Sequence, residues 1–210
     1  MKFQDYKYER PNYGEIKKSF LDLVNKIKTA DNYKDQHTYI MELNNTRKHI
    51  ETMSTLASIR NSINTADEFY EKETQYWDEY GPLYTELNSD FYKVIVNSKF
   101  KENIINDFSE QFYKICEYSL KSFSPEIIPD LQEENKLMSR YTKLLASAKI
   151  NFNNEELNLS GLYKYMLSQD RKEREESSKA YYNYFEIHEE EFDEIYDNLV
   201  KVRPDMAKTL

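Results

Sequence analysis

The histidines are the residues best able to support chemistry in this chain, and only one of them begins a catalytic pattern. The chain contains three, His37, His49 and His188. His188-Glu189 starts like HExxH, in which two imidazoles one helical turn apart bind zinc and the Glu activates water. The second imidazole would stand at Phe192, and after His49 the same spacing reaches Met53. We therefore predict no catalytic, metal-binding or cofactor-binding residue in this sequence.

Other constellations that could support catalysis are missing or are common on helix surfaces. Carboxylate pairs such as Glu133-Glu134 are usually solvated faces of acidic helices, and no Glu-x-x-His pair typical of di-iron bundles occurs. With 3 glycines the chain has neither a Gly-rich phosphate loop nor a G-x-S-x-G elbow. The single cysteine, Cys116, lies on an apolar stripe, which indicates a buried, unreactive thiol.

The charge of the chain argues against nucleic acid and membrane partners. Its formal net charge is −9, and the basic residues between Arg171 and Glu176 are mixed with acidic ones. The longest aliphatic run is Val94-Ile95-Val96, far short of the roughly 20 residues of a membrane helix. The first residues lack the apolar core of a signal peptide, so we expect a cytoplasmic protein.

Composition and periodicity predict a mainly α fold of long antiparallel helices. With 3 Gly and 5 Pro the chain has too few turn residues for a sheet-rich protein. Apolar residues recur at steps of three and four, as on one face of a helix. These stripes run from Tyr13 to Ile27, Tyr39 to Ile63, Phe69 to Val94 and Phe100 to Ile115, and a further helix is expected from Ser124 to about Ser147. Gly81-Pro82 should kink or briefly break the third helix.

The segment 149–159 departs from the helical pattern. Apolar and polar residues alternate on both sides of Asn153-Asn154, and asparagine tolerates the positive φ of a tight turn, so we predict a small β-hairpin. A long final helix should follow from Asp170. Its heptad seam includes Phe185, Phe192, Ile195, Leu199 and Met206. No repeat or linker interrupts the chain, so we expect one helical domain over residues 1–210.

Several segments in this order resemble the oligoendopeptidase F family of zinc metallopeptidases, which are similar to thimet oligopeptidase. In the second half of the chain the resemblance is carried by LQEENKLMSRYTKLLASAKINF, NLSGL, SQDRKER, AYYNYF and LVKVR. In the first half it is carried by RKHIETMSTLASIRNSINTADEFYEKE and GPLYTELNSDFYKVIVNSKF. Two positions depart from the family: Asn154 stands where a glycine is common, and Pro204 makes a helix beyond Arg203 doubtful.

The resemblance implies a mostly α-helical fold around a deep channel that admits short, unstructured peptides. The HExxH helix and a further Glu ligand of the family lie in the C-terminal half, beyond Leu210, so no zinc ligand or catalytic residue maps onto this chain. The implied function is the N-terminal scaffold and channel wall of an enzyme that cleaves oligopeptides with zinc-activated water. Two alternatives stay open: a free-standing helical interaction domain, and a domain that binds peptides without cleaving them.

The resemblance also bears on the partners of the chain. Oligopeptides would be bound by the full-length enzyme, in which further elements pack on the seam of the last helix. We therefore expect part of that seam to be uncovered here. Each large apolar side chain left in water forgoes about 1.5–3 kcal/mol of burial, so we predict a homo-oligomer or pairing with the missing C-terminal part. The alternative is that the seam folds back on the helix of Ile16–Ile27.

Because no two histidines have ligand spacing, we expect the isolated chain neither to bind stoichiometric zinc tightly nor to cleave peptides. Metal analysis of the tag-free protein and a quenched-fluorescent peptide assay measure the two properties. Chelator-sensitive turnover by this chain alone would contradict the prediction.

Overall fold

The computed structural model describes residues 2–210, most of which are helical. The helices are α1 (Tyr13–Thr29), α2 (Tyr33–Ile63), α3 (Glu68–Val96), α4 (Lys101–Phe108), α5 (Glu110–Lys121), α6 (Ile128–Ala146), α7 (Leu159–Met166), α8 (Arg171–Ile187) and α9 (Glu189–Thr209), with 3-10 turns at Phe3–Asp5 and Pro125–Ile127. Strands β1 (Ile150–Phe152) and β2 (Glu155–Leu157) pair antiparallel. The prediction of a mainly α fold with one small hairpin is confirmed.

The hairpin turns where the sequence predicts. Asn153 and Asn154 have φ angles of 50° and 60°, the left-handed region that asparagine tolerates better than most residues. The Phe152 ring lies 5.0 Å from the ring of Tyr165 in α7, and Ile150 packs on an apolar cluster that includes residues of α8. The hairpin is therefore supported by helices, as a two-stranded sheet in water requires.

Asparagine caps set the starts of the first two helices. Asn12 Oδ1 accepts from the Glu15 N–H at 3.3 Å, and Asn32 Oδ1 accepts from the Asp35 N–H at 3.0 Å. Between α1 and α2, buried Gln36 donates to the Ile27 carbonyl at 2.9 Å, which satisfies one of the free carbonyls at the end of α1. The end of α1 at Thr29 and the start of α2 at Tyr33 lie between the two predicted apolar stripes, which end at Ile27 and begin at Tyr39.

Two predicted helices are each divided in two. The fourth stripe breaks at Ser109, where φ is 88° and the side chain accepts from the Phe112 N–H at 3.3 Å to cap α5. The final helix breaks at His188, and α9 begins with Glu189–Glu191, whose negative charges favour the positive end of a helix dipole. The predictions of continuous helices are wrong here. At Ser109 a side-chain cap competes with the apolar periodicity, and at His188 the acidic residues that follow favour a new helix start.

Pro82 lies inside α3 without breaking it. A proline has no amide hydrogen, so the carbonyl of Asp78, four residues earlier, loses its partner within the helix. Asn135 of α6 supplies the missing donor, with Nδ2 at 3.2 Å from the Asp78 oxygen. Gln132 donates to the next carbonyl, that of Glu79, at 2.7 Å. The expected short break is not observed, because the neighbouring helix satisfies the exposed carbonyls.

A second proline, Pro204, also lies inside a helix. The carbonyl that it leaves unpaired belongs to Val200, on the exposed side of α9, where water can bind it. Met206 is buried and holds the last turns of α9 in place. The helix therefore continues to Thr209, and the doubt about the chain beyond Arg203 is answered.

The buried apolar residues form one large cluster and two small ones. The large cluster joins α1–α5 and is centred on side chains with almost no exposure, among them Phe20, Ile27, Ile40, Leu43, Leu87, Phe91, Ile95, Ile104 and Cys116. The small clusters join α6 to α9 and α8 to the hairpin region. Since α6 also bonds to α3, it connects the large cluster to the last helices.

The heptad seam finds its partner within the chain. Ile195 is buried between Leu137 and Leu144 of α6, and Phe192, Leu199 and Val202 pack around them. The expectation of an uncovered seam is therefore wrong, and so is the alternative contact with α1, because α6 occupies the apolar face of α9. Other apolar side chains of α8 and α9 are exposed instead, namely Ile187, Tyr196 and Val200.

A buried carboxylate fixes the N-terminal segment on α3. Glu73 accepts from Arg10 Nη2 at 2.6 Å, from Arg10 Nε at 2.9 Å and from the Tyr8 hydroxyl at 2.5 Å. The Trp77 indole N–H donates to the same Tyr8 oxygen at 3.2 Å. The hydrogen bonds from Arg10 hold the pKa of Glu73 below its usual value, and burial, with the bond to Glu73, raises the pKa of Tyr8.

If Asn135 replaces the lost helix bond of Pro82, its contribution should depend on that proline. We expect Asn135→Ala to lower the free energy of unfolding by about 1 kcal/mol, because the Asp78 carbonyl loses its donor. In the Pro82→Ala background the restored N–H should reduce this cost to near zero. Urea unfolding of the four proteins gives the coupling energy.

Gln132→Ala is the matched control for this cycle, because the Leu83 N–H is present with or without the proline. Its cost should be similar in both backgrounds. Equal costs for Asn135→Ala in the two backgrounds would show that Asn135 does not compensate for Pro82.

The Glu73 cluster predicts an asymmetry between its two charged partners. Arg10→Gln leaves a buried carboxylate without its counter-ion and should cost about 3 kcal/mol of unfolding free energy. Glu73→Gln leaves only the half-exposed guanidinium of Arg10, which water can solvate, and should cost about 1 kcal/mol. Thermal and urea unfolding at neutral pH rank the variants, and a larger loss for Glu73→Gln would contradict the ranking.

The same cluster predicts a pH dependence. The pKa of Glu73 is lower in the folded than in the unfolded chain, so its contribution is fully present above the unfolded value of 4.5 and is lost as the pH falls below it. The difference in stability between the parent and Glu73→Gln should therefore shrink on acidification from pH 6. A constant difference would contradict this linkage.

Candidate functional site

The structure places the three histidines in separate aromatic or exposed surroundings. The His37 ring stacks on Phe108 with the ring centroids 5.4 Å apart, and the His188 ring lies 4.5 Å from that of Tyr184. His49 is exposed on α2. Within residues 2–210, no group of three or more His, Cys, Asp or Glu side chains is arranged to hold a metal ion.

Cys116 is the one thiol in the chain and lies in the large apolar cluster. Burial raises its pKa to about 11, and the nearby positive charge of Arg47 only partly offsets this effect. At neutral pH the group is therefore a thiol rather than the thiolate that a nucleophile requires. The interpretation of Cys116 as a structural residue agrees with this environment.

A polar groove lies between the end of α2, the first half of α3 and α6, with a volume of about 550 Å³. Hydroxyl and amide side chains line most of it, including Ser58, Thr74 and Asn135. Two of its cations are already neutralised. Lys143 pairs with Glu71, and Arg140 binds carboxylates of α9 at 2.7 Å and 3.2 Å.

An aromatic groove of about 650 Å³ lies between α2, α3 and the junction of α4 with α5. Trp77 and Tyr84 of α3 and Phe108 and Phe112 beside the junction form its apolar part. The turn at Ser109 places both phenylalanines on the groove. Polar residues of α2 and α3 face them, among them Asn44, Arg47, Lys48, Glu51 and Asn88.

Arg47 is fixed in the wall of the aromatic groove by neutral partners. Its Nε donates to Asn88 Oδ1 at 2.7 Å, one terminal nitrogen donates to Asn44 Oδ1 at 2.9 Å, and the other donates to the Tyr92 hydroxyl at 2.8 Å. The guanidinium carbon also lies 5.0 Å from the centroid of the Phe91 ring, a cation–π arrangement. The side chain thus has a defined position while its charge remains uncompensated by these partners.

Neither groove is predicted by the sequence alone. Arg47 and Asn88 lie on different helices, and nothing in their spacing indicates that they meet. The available signal is the polar Arg47 beside the wide apolar stripe of α2, facing a helix rich in tyrosine. Such a pattern equally suits a solvated helix edge, so the contact between α2 and α3 is needed to identify the groove.

None of the helices in residues 2–210 combines the length with the apolar character of a membrane span.

The family of the chain follows from its similarity to known proteins. A comparison with curated proteins gave no match. The family model for the peptidase M3 N-terminal domain matches residues 3–123, which contain α1–α5 and the large apolar cluster.

Three solved structures match almost the whole chain. PZ peptidase A with an inhibitor is 42% identical, with a TM-score of 0.96 over 99% of this chain. A provisionally assigned oligoendopeptidase F from Bacillus anthracis is 41% identical, with a TM-score of 0.98 over 100% of this chain. Another provisionally assigned oligoendopeptidase F is 39% identical, with a TM-score of 0.97 over the full chain.

The match covers a limited part of those proteins. This chain spans 37–38% of the length of the three solved chains. The matched family model describes an N-terminal domain and accounts for more than half of the chain. The chain therefore belongs to the M3 peptidase family and corresponds to its N-terminal portion.

Proposed function

We propose that this chain forms part of the wall of the peptide channel in an oligopeptide-cleaving metallopeptidase. The observation that carries the proposal is the agreement of the whole chain with three M3-type structures at TM-scores of 0.96–0.98 and identities of 39–42%. At this similarity the backbone of the chain has a counterpart in longer proteins. The activity itself would reside in the enzyme of which this domain is a part.

The zinc of the family finds no suitable ligands in residues 2–210. The three histidines are engaged with aromatic rings or exposed, and the buried carboxylate of Glu73 is already occupied by Arg10 and Tyr8. We place the zinc in the part of the enzyme outside this chain, and we assign no chemical step to a residue of this chain. Its contribution would be to bind and orient the peptide and to exclude water.

The exposed apolar residues of α8 and α9 are the surface best suited to the rest of the enzyme. Ile187, Tyr196 and Val200 leave more than half of their surface in water. In the proposed enzyme the remaining polypeptide covers them, which would connect the second half of this chain to the catalytic part. Self-association of the isolated chain through the same residues remains our expectation, now for this surface rather than for the seam.

Three further expectations belong to the proposal. Residues 1–210 act as one helical unit, because α6 bonds to α3 and also packs on α9. Oligopeptides are the partners that the peptidase family implies, whereas the net charge of −9 disfavours nucleic acid. The enzyme acts in the cytoplasm.

A chimera tests the proposal. This chain would replace the matched N-terminal segment of the Bacillus anthracis protein, in which it overlays at a TM-score of 0.98. We expect the purified chimera to bind zinc and to cleave a quenched-fluorescent oligopeptide, with activity lost on chelation. The same protein without its N-terminal segment is the control and should not cleave.

Two results would contradict the proposal. One is a folded, zinc-loaded chimera that neither binds nor cleaves peptides, as expected of a free-standing interaction domain. The other is full activity of the control, which would show that the N-terminal portion takes no part in peptide cleavage.

A further inference from the structure

Arg47 retains unused hydrogen-bonding capacity in the aromatic groove. A guanidinium has five N–H donors, and three of those of Arg47 are used by Asn88, Asn44 and Tyr92. Among residues 2–210, no carboxylate oxygen lies within the 4.0 Å of an ion pair with Arg47. Two N–H groups of Arg47 are therefore not used by these partners, and its positive charge is not paired with a carboxylate.

The charges around Arg47 favour an anion. Lys48 and Glu51 line the same groove, so two cations stand against one carboxylate in a chain whose net charge is −9. Arg47 is half-buried, which strengthens its attraction for an anion relative to a fully hydrated cation. The polar groove lacks this property, because Lys143 and Arg140 there already bind carboxylates.

The same groove also offers an apolar surface beside the cation. Trp77, Phe108 and Phe112 line it, and a Cβ placed on Gly81 would meet no atom within 4 Å. The lack of a Cβ at Gly81 is favourable for α3 itself, because a Cβ before a proline disfavours the helical conformation. The groove therefore has open space beside Gly81.

We propose that the aromatic groove binds the C-terminal end of an oligopeptide. The terminal carboxylate accepts hydrogen bonds from the two free N–H groups of Arg47, because a planar guanidinium can bind a carboxylate through two N–H groups at once. An apolar last side chain packs against Trp77, Phe108 and Phe112. The volume of about 650 Å³ lies in the range of sites that hold small ligands.

This inference rests on the proposed function, because it requires that peptides reach the groove. It adds a preference for a free carboxyl end combined with an apolar terminal residue. Both parts of the ligand are required: a bare anion lacks the apolar contact, and an amidated peptide lacks the charge.

The single tryptophan of the chain, Trp77, lies in the groove and reports on binding without a label. Its fluorescence would be titrated with the tripeptide Ala-Ala-Leu as the free acid and as the C-terminal amide. We expect the acid to bind at least about tenfold more tightly, as for one charge-assisted hydrogen-bonded contact. Arg47→Gln should lower the affinity for the acid about tenfold and leave the affinity for the amide unchanged. The affinity of Arg47→Lys for the acid should lie between those of the parent and Arg47→Gln, because lysine keeps the charge but lacks the planar set of N–H donors.

Arg60→Gln is the matched control. Arg60 is also a guanidinium held by neutral oxygens and an aromatic ring, but it lies outside the groove and bonds to Tyr70 and Tyr6. It should leave the affinities for acid and amide unchanged. Circular dichroism establishes that each variant is folded, and the comparison of acid with amide on the parent chain holds even if Arg47→Gln does not fold.

The inference is overturned if the parent binds acid and amide equally, if it binds neither, or if Arg47→Gln and Arg60→Gln weaken the acid to the same extent. Equal binding of both peptides would leave the proposed channel role intact and remove only the carboxylate preference. An inactive chimera together with selective binding of the acid would do the reverse, so the two failures can be told apart.

Discussion

The missing amide hydrogen of Pro82 is the constraint that links the two halves of the structure. It leaves the Asp78 carbonyl unpaired on a central helix, and Asn135 of α6 supplies the donor at 3.2 Å. Because a partly buried carbonyl without a partner is costly, this hydrogen bond favours the position of α6 beside α3 at this level. Once α6 is fixed there, its other face presents Leu137 and Leu144 to α9, and the order of the C-terminal helices follows.

A second polar contact lies on the same helix, at Glu73, five residues before Asp78. The carboxylate of Glu73 would be costly to bury alone, and Arg10 and Tyr8 satisfy both of its oxygens. The N-terminal segment is thereby held along α3, next to Trp77. The wall that we assign to the peptide channel therefore depends on a few specific hydrogen bonds as well as on apolar packing.

Features set by local sequence could be predicted, and features set by contacts between distant segments could not. The hairpin follows from the alternation of apolar and polar residues around Asn153-Asn154, and it agrees with the structure. The breaks at Ser109 and His188 were missed, because apolar periodicity continues across them. The continuity of α3 depends on Asn135, which lies over fifty residues away, so no local pattern indicates it. Likewise, the partner of the α9 seam is α6, which periodicity does not identify.

The candidate site depends even more than the fold on contacts between distant segments, which the sequence does not predict. The residue types in the sequence indicate no metal ligands, and the aromatic groove depends on how α2, α3 and the junction of α4 with α5 meet. The resemblance to oligoendopeptidase F supplied the functional context, and the family model and the solved structures confirm that relationship. The negative net charge of the chain does not suggest an anion site. Arg47 can attract an anion because its hydrogen-bond partners, Asn88, Asn44 and Tyr92, are neutral, and the sequence does not reveal those partners.

Photo-crosslinking within the chimeric enzyme tests the central claim most directly, namely that this chain lines the peptide channel. A non-cleavable peptide carrying a photoreactive side chain would be bound and irradiated, and the labelled positions would be located by mass spectrometry. We expect labels on the aromatic groove, around Trp77 and Phe112, that disappear when unlabelled peptide competes. Labels confined to the catalytic part of the chimera, or only on the outer surface of α8 and α9, would contradict the account.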